Sequence, residues 1–412
     1  MNPKMRASLV MLAVFFMVTD IPLNCGSRIQ MAGISEAQDP PRRRRRGRRP
    51  PPPAPAPEPE KEETEPEDPG GEYLAIVGAT IHTITGPVIR GGTVLCKDGK
   101  IIAIGEDIVA PSDAEKIDAS GYHLYPGLVA FRSSGLVGSG EPEKTQDPFA
   151  LGTVMGLAAG ITSTWNGSRV CKLIRGEVSD LTLRNKAFTS ISYVSRNPTG
   201  KRELREALEK VQEHLRELER YESDKKENPE AKAKAPDDKW IRGVFATARK
   251  LLTGKSVALT RASTIYDLRE ICELARRFEF EMIIEGAEEA WIEPGVLARC
   301  RASVVLTPRS RRDRDESRGA AGGSSIENAR ILSEHGVPVT IMPGSRGIAL
   351  WGLAGRDLSH LPLEAAFAVR GGLSEEVAVE SITIEPARLL GVADRIGSIE
   401  VGKDADFIIM DG

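Results

Sequence analysis

Few of the side chains that usually carry chemistry are spaced to do so in this chain. The five histidines, His82, His123, His214, His335 and His360, are scattered, and none has the spacing of a metal-ligand pair. The five cysteines, Cys25, Cys96, Cys171, Cys272 and Cys300, include no C-x-x-C pair, which argues against a zinc ribbon. Single cysteines in apolar surroundings are most often small core residues. Glu285, Glu288 and Glu289 are grouped behind the apolar run 282–284. Carboxylates alone hold a hard cation only weakly, and the same residues suit the first turn of a helix, where the dipole favours acids. Arg132 stands with Ser133 and Ser134, Arg261 with Thr260, and Arg346 with Ser345. A guanidinium reads carboxylate and phosphate through a planar fork, which is the chemistry of anion recognition. The plainer reading is three unrelated surface or ion-paired arginines.

The elements that position these residues occupy only part of the 412-residue chain. Lys4 and Arg6 precede an apolar run at 9–18 that Asp20 closes. This is the pattern of an export leader, too short to span a bilayer, and it is assigned to residues 1–25. Export implies a periplasmic or extracellular location and permits disulfides. The segment 23–26 resembles a weak lipobox around Cys25, which leaves surface attachment open. Residues 26–72 read as an unstructured tether: arginines at 42–46, 48 and 49, then prolines at 50–53, then an acidic block at 58–68. It is either a contact with an anionic surface or a solvated spacer. The net charge of −3 argues against a nucleic-acid partner.

From residue 73 the pattern is globular. Strands are predicted over 73–77, 93–96 and 101–104, with a hairpin turn at Lys97-Asp98-Gly99-Lys100. Leu204, Leu208, Val211, Leu215 and Leu218 share a helix face, with His214 on its flank, and a polar loop covers 229–236. A strand over 256–259 precedes a helix carrying Leu268, Ile271, Cys272 and Ala275. Strands over 282–284 and 302–306 follow, then a helix from Ser325 to a stop at His335-Gly336, and a strand over 337–342. His360 reads as a loop residue before Leu361-Pro362, and Asn166-Gly167-Ser168, a sequon by pattern, as a loop after a strand. Alternation of strand and helix signals an α/β fold.

The run Tyr125-Pro126-Gly127-Leu128-Val129-Ala130-Phe131-Arg132-Ser133-Ser134 resembles the first barrel strand of the amidohydrolase superfamily, P-G-L-(I/V)-D-x-H-x-H. Gly160-Ile161-Thr162-Ser163-Thr164 resembles its second strand, and residues 373–392 its last barrel helices. Residues 73–104 and 396–409 are similar to the two halves of that superfamily's small β-sandwich, with the imidazolonepropionase-like branch the nearest pattern. The resemblance implies a (β/α)8 TIM-like barrel at 125–392 and a composite β-sandwich from 73–124 and 393–412, the second part incomplete.

The resemblance also implies a divalent metal, usually zinc, that activates water for hydrolysis of non-peptide carbon–nitrogen bonds. The family's ligands are two histidines on strand one, a lysine or glutamate on strand four in some branches, histidines on strands five and six, and a basic aspartate on strand eight. Here strand one offers Arg132 and Ser134, strand five Thr260 or Arg261, and strand six no histidine. Strand eight, ending at Ser345 and Arg346, lacks the aspartate. No cofactor is therefore expected. The candidate ligand pocket is Arg132, Ser133, Ser134, Thr260, Arg261, Glu285, Ser345 and Arg346, facing a small anionic ligand. The implied function is that of a catalytically impaired family member, possible partners being related barrels in a homo- or hetero-oligomer. The alternatives are an active hydrolase of cyclic amides with an atypical site and a surface-tethered structural protein.

Overall fold

The computed structural model describes residues 11–12, 72–138, 140–147, 149–176, 178–228, 234–314, 322–344, 348–349 and 360–411. The chain divides into two compact units, Met1–Val14 with Glu72–Gly412, and Phe15–Gly71. The second unit, with the tether, lies outside the described residues, as do Ser345 and Arg346. Among the described residues no helix is long and apolar enough to cross a membrane.

The first sheet is built from both ends of the chain. Met11–Leu12 (β1) falls inside the run read as a leader. Tyr73–Ile81 (β2), Ile89–Lys97 (β3) and Lys100–Gly105 (β4) form an antiparallel ladder. Its second turn is the expected one, with Asp98 and Gly99 at φ 48° and 76°. Glu115–Asp118 (β5) and His123–Pro126 (β6) run parallel to β2. The last strand, Phe407–Met410 (β18), pairs antiparallel with β6 and parallel with β1. Ile76, Ile81, Val94, Leu124 and Phe407 are fully buried against this sheet. The three strands β2 to β4 are longer than their sequence signals, because ladder pairing extends past the β-branched runs that announce them.

The remaining strands form mainly parallel ladders. Leu128–Ala130 (β7) pairs with Ile161–Trp165 (β9), which turns back through Arg169–Lys172 (β10) and Thr182–Asn185 (β11). Ser133–Ser134 (β8) pairs with Ile348–Ala349 (β17). Phe188–Ser190 (β12), Val257–Ala262 (β13), Met282–Gly286 (β14), Ser303–Leu306 (β15) and Val339–Ile341 (β16) make an all-parallel sheet in chain order.

Helices make the crossovers. Pro142–Thr145 (α1) and Leu151–Ala158 (α2) precede β9, and Pro198–Glu227 (α3) and Val244–Leu252 (α4) link β12 to β13. Ile265–Phe278 (α5), Pro294–Arg299 (α6) and Asn328–Glu334 (α7) link the next three strand pairs. His360–Arg370 (α8), Glu375–Glu380 (α9) and Ile384–Leu390 (α10) come last. This is an α/β fold. Helix α5 shows why local sequence suffices for these crossovers: Thr264 accepts a hydrogen bond from Asp267 N at its start. Leu268, Ile271, Cys272 and Ala275 form its buried stripe, and Glu279 ends it in the left-handed region.

Both faces of the parallel sheet are buried, as parallel sheets require. Ala258, Ile284, Val304 and Ile341 meet the helices. Val129, Leu259, Ile283 and Val305 gather on the other face with Phe131, Trp165 and Met342. Alternation along each strand separates the two sets. Two histidine expectations are corrected by packing. His214 is not beside the stripe of α3 but buried within it, bonded to Asp238 at 2.6 Å. His360 opens α8 rather than lying in a loop, with Pro362 in the first turn, where its missing N–H leaves no bond unmade.

One ionic cluster ties the chain's last segment to two earlier strands. The Asp404 carboxylate, 3% exposed, meets Lys100, Lys172 at 3.0 Å and Arg395 at 2.9 Å, and Lys172 also meets Asp406 at 2.9 Å. Burial alone would raise the Asp404 pKa, but Lys172, Lys100 and Arg395 outweigh it and hold the carboxyl below its usual range. Its contribution is therefore complete above the unfolded aspartate value of about 3.9 and fades as pH falls through the lower folded value. Asp404→Asn is expected to cost about 3 kcal/mol at neutral pH by leaving three cations facing a neutral amide. The loss should shrink as pH drops below about 4, and urea titrations of both proteins from pH 7 to 3 check it.

Candidate functional site

The parallel register brings together residues that are far apart in sequence. Arg261 lies directly opposite Glu285 at the C-terminal ends of β13 and β14. Both alternate with Leu259 and Ile283, so they continue the face that holds the inner apolar cluster. Arg132 follows Phe131 just beyond β7. Its Nη2 lies 2.7 Å from Glu285 Oε1, while Arg261 Nη2 lies 3.5 Å from Oε2. The shorter contact is poorly angled for a hydrogen bond, so its attraction is chiefly Coulombic. The Arg132 guanidinium also stacks 4.7 Å from the Trp165 ring centre. Trp165 in turn meets Phe188 edge-on at 5.1 Å and Phe131 at 6.1 Å, a wall that fixes the guanidinium plane.

Exposure is graded across this triad. The Glu285 side chain is 7% exposed, Arg132 22% and Arg261 50%. Burial pushes the Glu285 carboxyl upward, with Arg132 and then Arg261 pulling it back. Burial likewise lowers the Arg132 pKa, with Glu285 opposing it and Arg261 adding to it. Among the described residues, two guanidiniums face this one carboxylate.

The other candidates fall elsewhere. Thr260 alternates with Leu259 and Arg261, so it belongs with Ala258 and Ala262 on the helix-facing side, fully buried and its hydroxyl without a partner. The expectation that it lines the pocket is corrected by that alternation. Ser133 is buried and Ser134 exposed, and both are ladder residues opposite Ile348 and Ala349. Glu289 caps a helix, but not its own: its Oε2 accepts from Ile265 N at the start of α5 at 2.9 Å. Its Oε1 takes Gly323 N at 3.1 Å and Arg312 Nε at 3.0 Å. Asn166 is a loop residue, as read, its Oδ1 accepting from Ser168 N and Arg169 N.

The histidines hold structural positions. His82, just beyond β2, and His123 on β6 share a hydrogen bond of 2.8 Å beside Tyr125, and His335 Nδ1 meets Ile331 O at 2.7 Å. Among the described residues no three of His, Cys, Asp or Glu gather as a metal site. The donor set at the triad does not suit a divalent cation either. Such an ion would face two guanidiniums and a single carboxylate whose oxygens both already lie against cations.

Residues 200–412 match the model of the amidohydrolase family, more than half of the chain, and the chain belongs to that family. A zebrafish (Danio rerio) N-acetylglucosamine-6-phosphate deacetylase is 44% identical over 45 residues, 11% of either chain. An imidazolonepropionase of Syntrophobacter fumaroxidans is 36% identical over 85 residues, 20% of this chain and 19% of that one. The chain thus spans between about a tenth and a fifth of these relatives. The crystal structure of an amidohydrolase from Thermotoga maritima aligns over 82% of this chain and 94% of its own, at 24% identity and a TM-score of 0.59.

Sequence reasoning missed two things here. It grouped Arg132, Arg261 and Glu285 as parallel candidates, whereas the structure makes Glu285 the counter-ion of both arginines. It also passed over Trp165, whose only signal is its place one residue beyond the second-strand motif.

Removing Arg132 should expose the cost of a stranded carboxylate that burial already pushes toward its neutral form. Arg132→Met is expected to lower stability by about 2 kcal/mol, below the 3–5 of a wholly buried pair because Arg132 reaches solvent. Arg132→Met combined with Glu285→Leu should recover most of it. A double-mutant cycle by urea denaturation checks both, and additive losses would contradict the pairing.

Proposed function

We propose that this protein is a metal-independent member of the amidohydrolase family that binds a small anion where its relatives hydrolyse carbon–nitrogen bonds. We also infer that the parallel ladders are arcs of one (β/α)8 barrel and that the two-ended sheet is the composite β-sandwich. The inner apolar cluster shared by β7, β13, β14 and β15 supports that closure, as does the overall alignment to the Thermotoga maritima amidohydrolase.

The observation that carries the reading is the Arg132–Glu285–Arg261 triad at the strand ends, where active sites of such barrels lie. Hydrolysis needs a group that takes a proton from water near neutral pH. Both Glu285 oxygens face guanidiniums, which leaves that carboxylate poorly suited to the task. Anion recognition needs only positive charge and guanidinium N–H groups, and Arg261 is the more exposed of the two arginines. An incoming carboxylate or phosphate would share Arg261 with Glu285, while Arg132 stays pinned between Glu285 and Trp165. The leader-like run at 9–18 supports export, and recovery of the intact chain from the cytosol alone would remove that part of the reading.

Metal analysis of the purified protein is expected to find substoichiometric zinc, manganese and nickel. A panel of hydantoins, imidazolones and dipeptides should show no turnover above buffer. Calorimetric titration with small carboxylates and phosphate should show binding weakened about tenfold, or 1.4 kcal/mol, in Arg261→Ala. Arg261→Lys should recover only part of it, since an ammonium lacks the fork. Stoichiometric metal accompanied by turnover would overturn the proposal.

A further inference from the structure

A second pocket opens beyond the ends of β14 and β15, away from the triad's own contacts. Its lining includes Glu288, Thr307, Ser310, Ser324, Ser325 and Asn328, with Gly286 beside them. Asn328 is only 7% exposed. Its Nδ2 donates to Ala287 O at 2.9 Å, which fixes the amide orientation and turns Oδ1 into a buried acceptor without a donor. Glu288 Oε2 is also buried without a donor, and Oε1 receives only a long bond of 3.3 Å from Ser310 Oγ. Thr307 Oγ1 is already committed, donating to Met342 O and accepting from Gly344 N. The neighbouring cations are engaged elsewhere: Arg309 with Glu364, and Arg312 with Glu289. Two buried acceptors on residues of one pocket, left without donors, are costly unless something that donates or carries positive charge reaches them.

We propose that this pocket is a site for a compact monovalent cation, either an alkali metal ion or ammonium. One carboxylate balances one positive charge, and the pocket's residues supply two unpartnered oxygen acceptors, Glu288 Oε2 and Asn328 Oδ1. Room for only a single water-sized occupant excludes larger amines. A divalent ion is disfavoured, since among the described residues no cluster of three acidic or soft ligands exists. The bound ion holds the turn after β14 to the first turn of α7, through Glu288 and Asn328. That turn is strained, with Gly286 at φ 96° and Ala287 at φ 50°, and it directly follows Glu285.

The test compares thermal unfolding of the full chain in sodium, potassium, ammonium and choline chloride at one ionic strength. A saturable rise in Tm of about 2 °C over choline is expected in at least one of the first three. The ammonium curve set against the alkali curves tells which source fits. Glu288→Gln, which keeps the shape and removes the charge, should abolish the rise, and Ser310→Ala should shift its midpoint to higher salt. Equal Tm in all four salts marks a pocket filled by water and overturns the proposal. A rise that persists in Glu288→Gln overturns it too. Where Glu288→Gln does not fold, an unshifted midpoint in Ser310→Ala does the same.

Discussion

A carboxylate taken out of water must find positive charge or give up its own, and Glu285 sets that demand at the end of β14. Its side chain is 7% exposed, and burial alone would push it toward the neutral acid. Two guanidiniums answer from different strands, one from the residue opposite on β13 and one from just beyond β7. The C-terminal ends of β13 and β14 and the segment just beyond β7 are thus held by one ionic contact set. Trp165 and Phe131 close the side from which water would otherwise screen it. Everything said about function follows from that arrangement.

The same physics recurs at Asp404 with a different outcome. There three cations surround one carboxylate that is nearly inaccessible, and attraction exceeds the burial penalty, so the pKa falls. At Glu285 the burial penalty prevails and the pKa rises. The contrast is one of number and closeness: Asp404 has partners at 3.0 Å or less from Lys172, Lys100 and Arg395, whereas Arg261 stands 3.5 Å from Glu285. The first cluster is a clamp between the closing segment and the strands β4 and β10. The second is half open to solvent on the Arg261 side.

Much of the α/β pattern was legible in the residues. The apolar stripe of α5, the Asp98-Gly99 turn and the glycine stop after α7 are local, and local chemistry announces them. The parallel register was not legible. Nothing in the sequence states that residue 261 lies across from residue 285, because that pairing is decided by which apolar rows interlock over the inner face. For the same reason Thr260 was placed in the pocket: a shift of one residue along a strand reverses the face, and only the ladder fixes which face is which. The positions of Ser345 and Arg346 lie outside the described residues, so the third arginine of the anion reading adds no geometry to it.

The substitution pattern also bears on why the scaffold persists without the ligands its family resemblance implies. A metal in a barrel mouth supplies positive charge where oxyanions form, and it supplies a nucleophile. Guanidiniums supply the first of these without the second. They come covalently attached and permanently charged, and they need no imidazoles to hold them. The apolar layer beneath, from Val129 through Val305, packs with Phe131, Trp165 and Met342, and meets the charged row where Arg132 lies over Trp165. Folding and chemistry are therefore separable here: the strands are held by their own two buried faces, and the charged ends of β13 and β14 can vary without unmaking them.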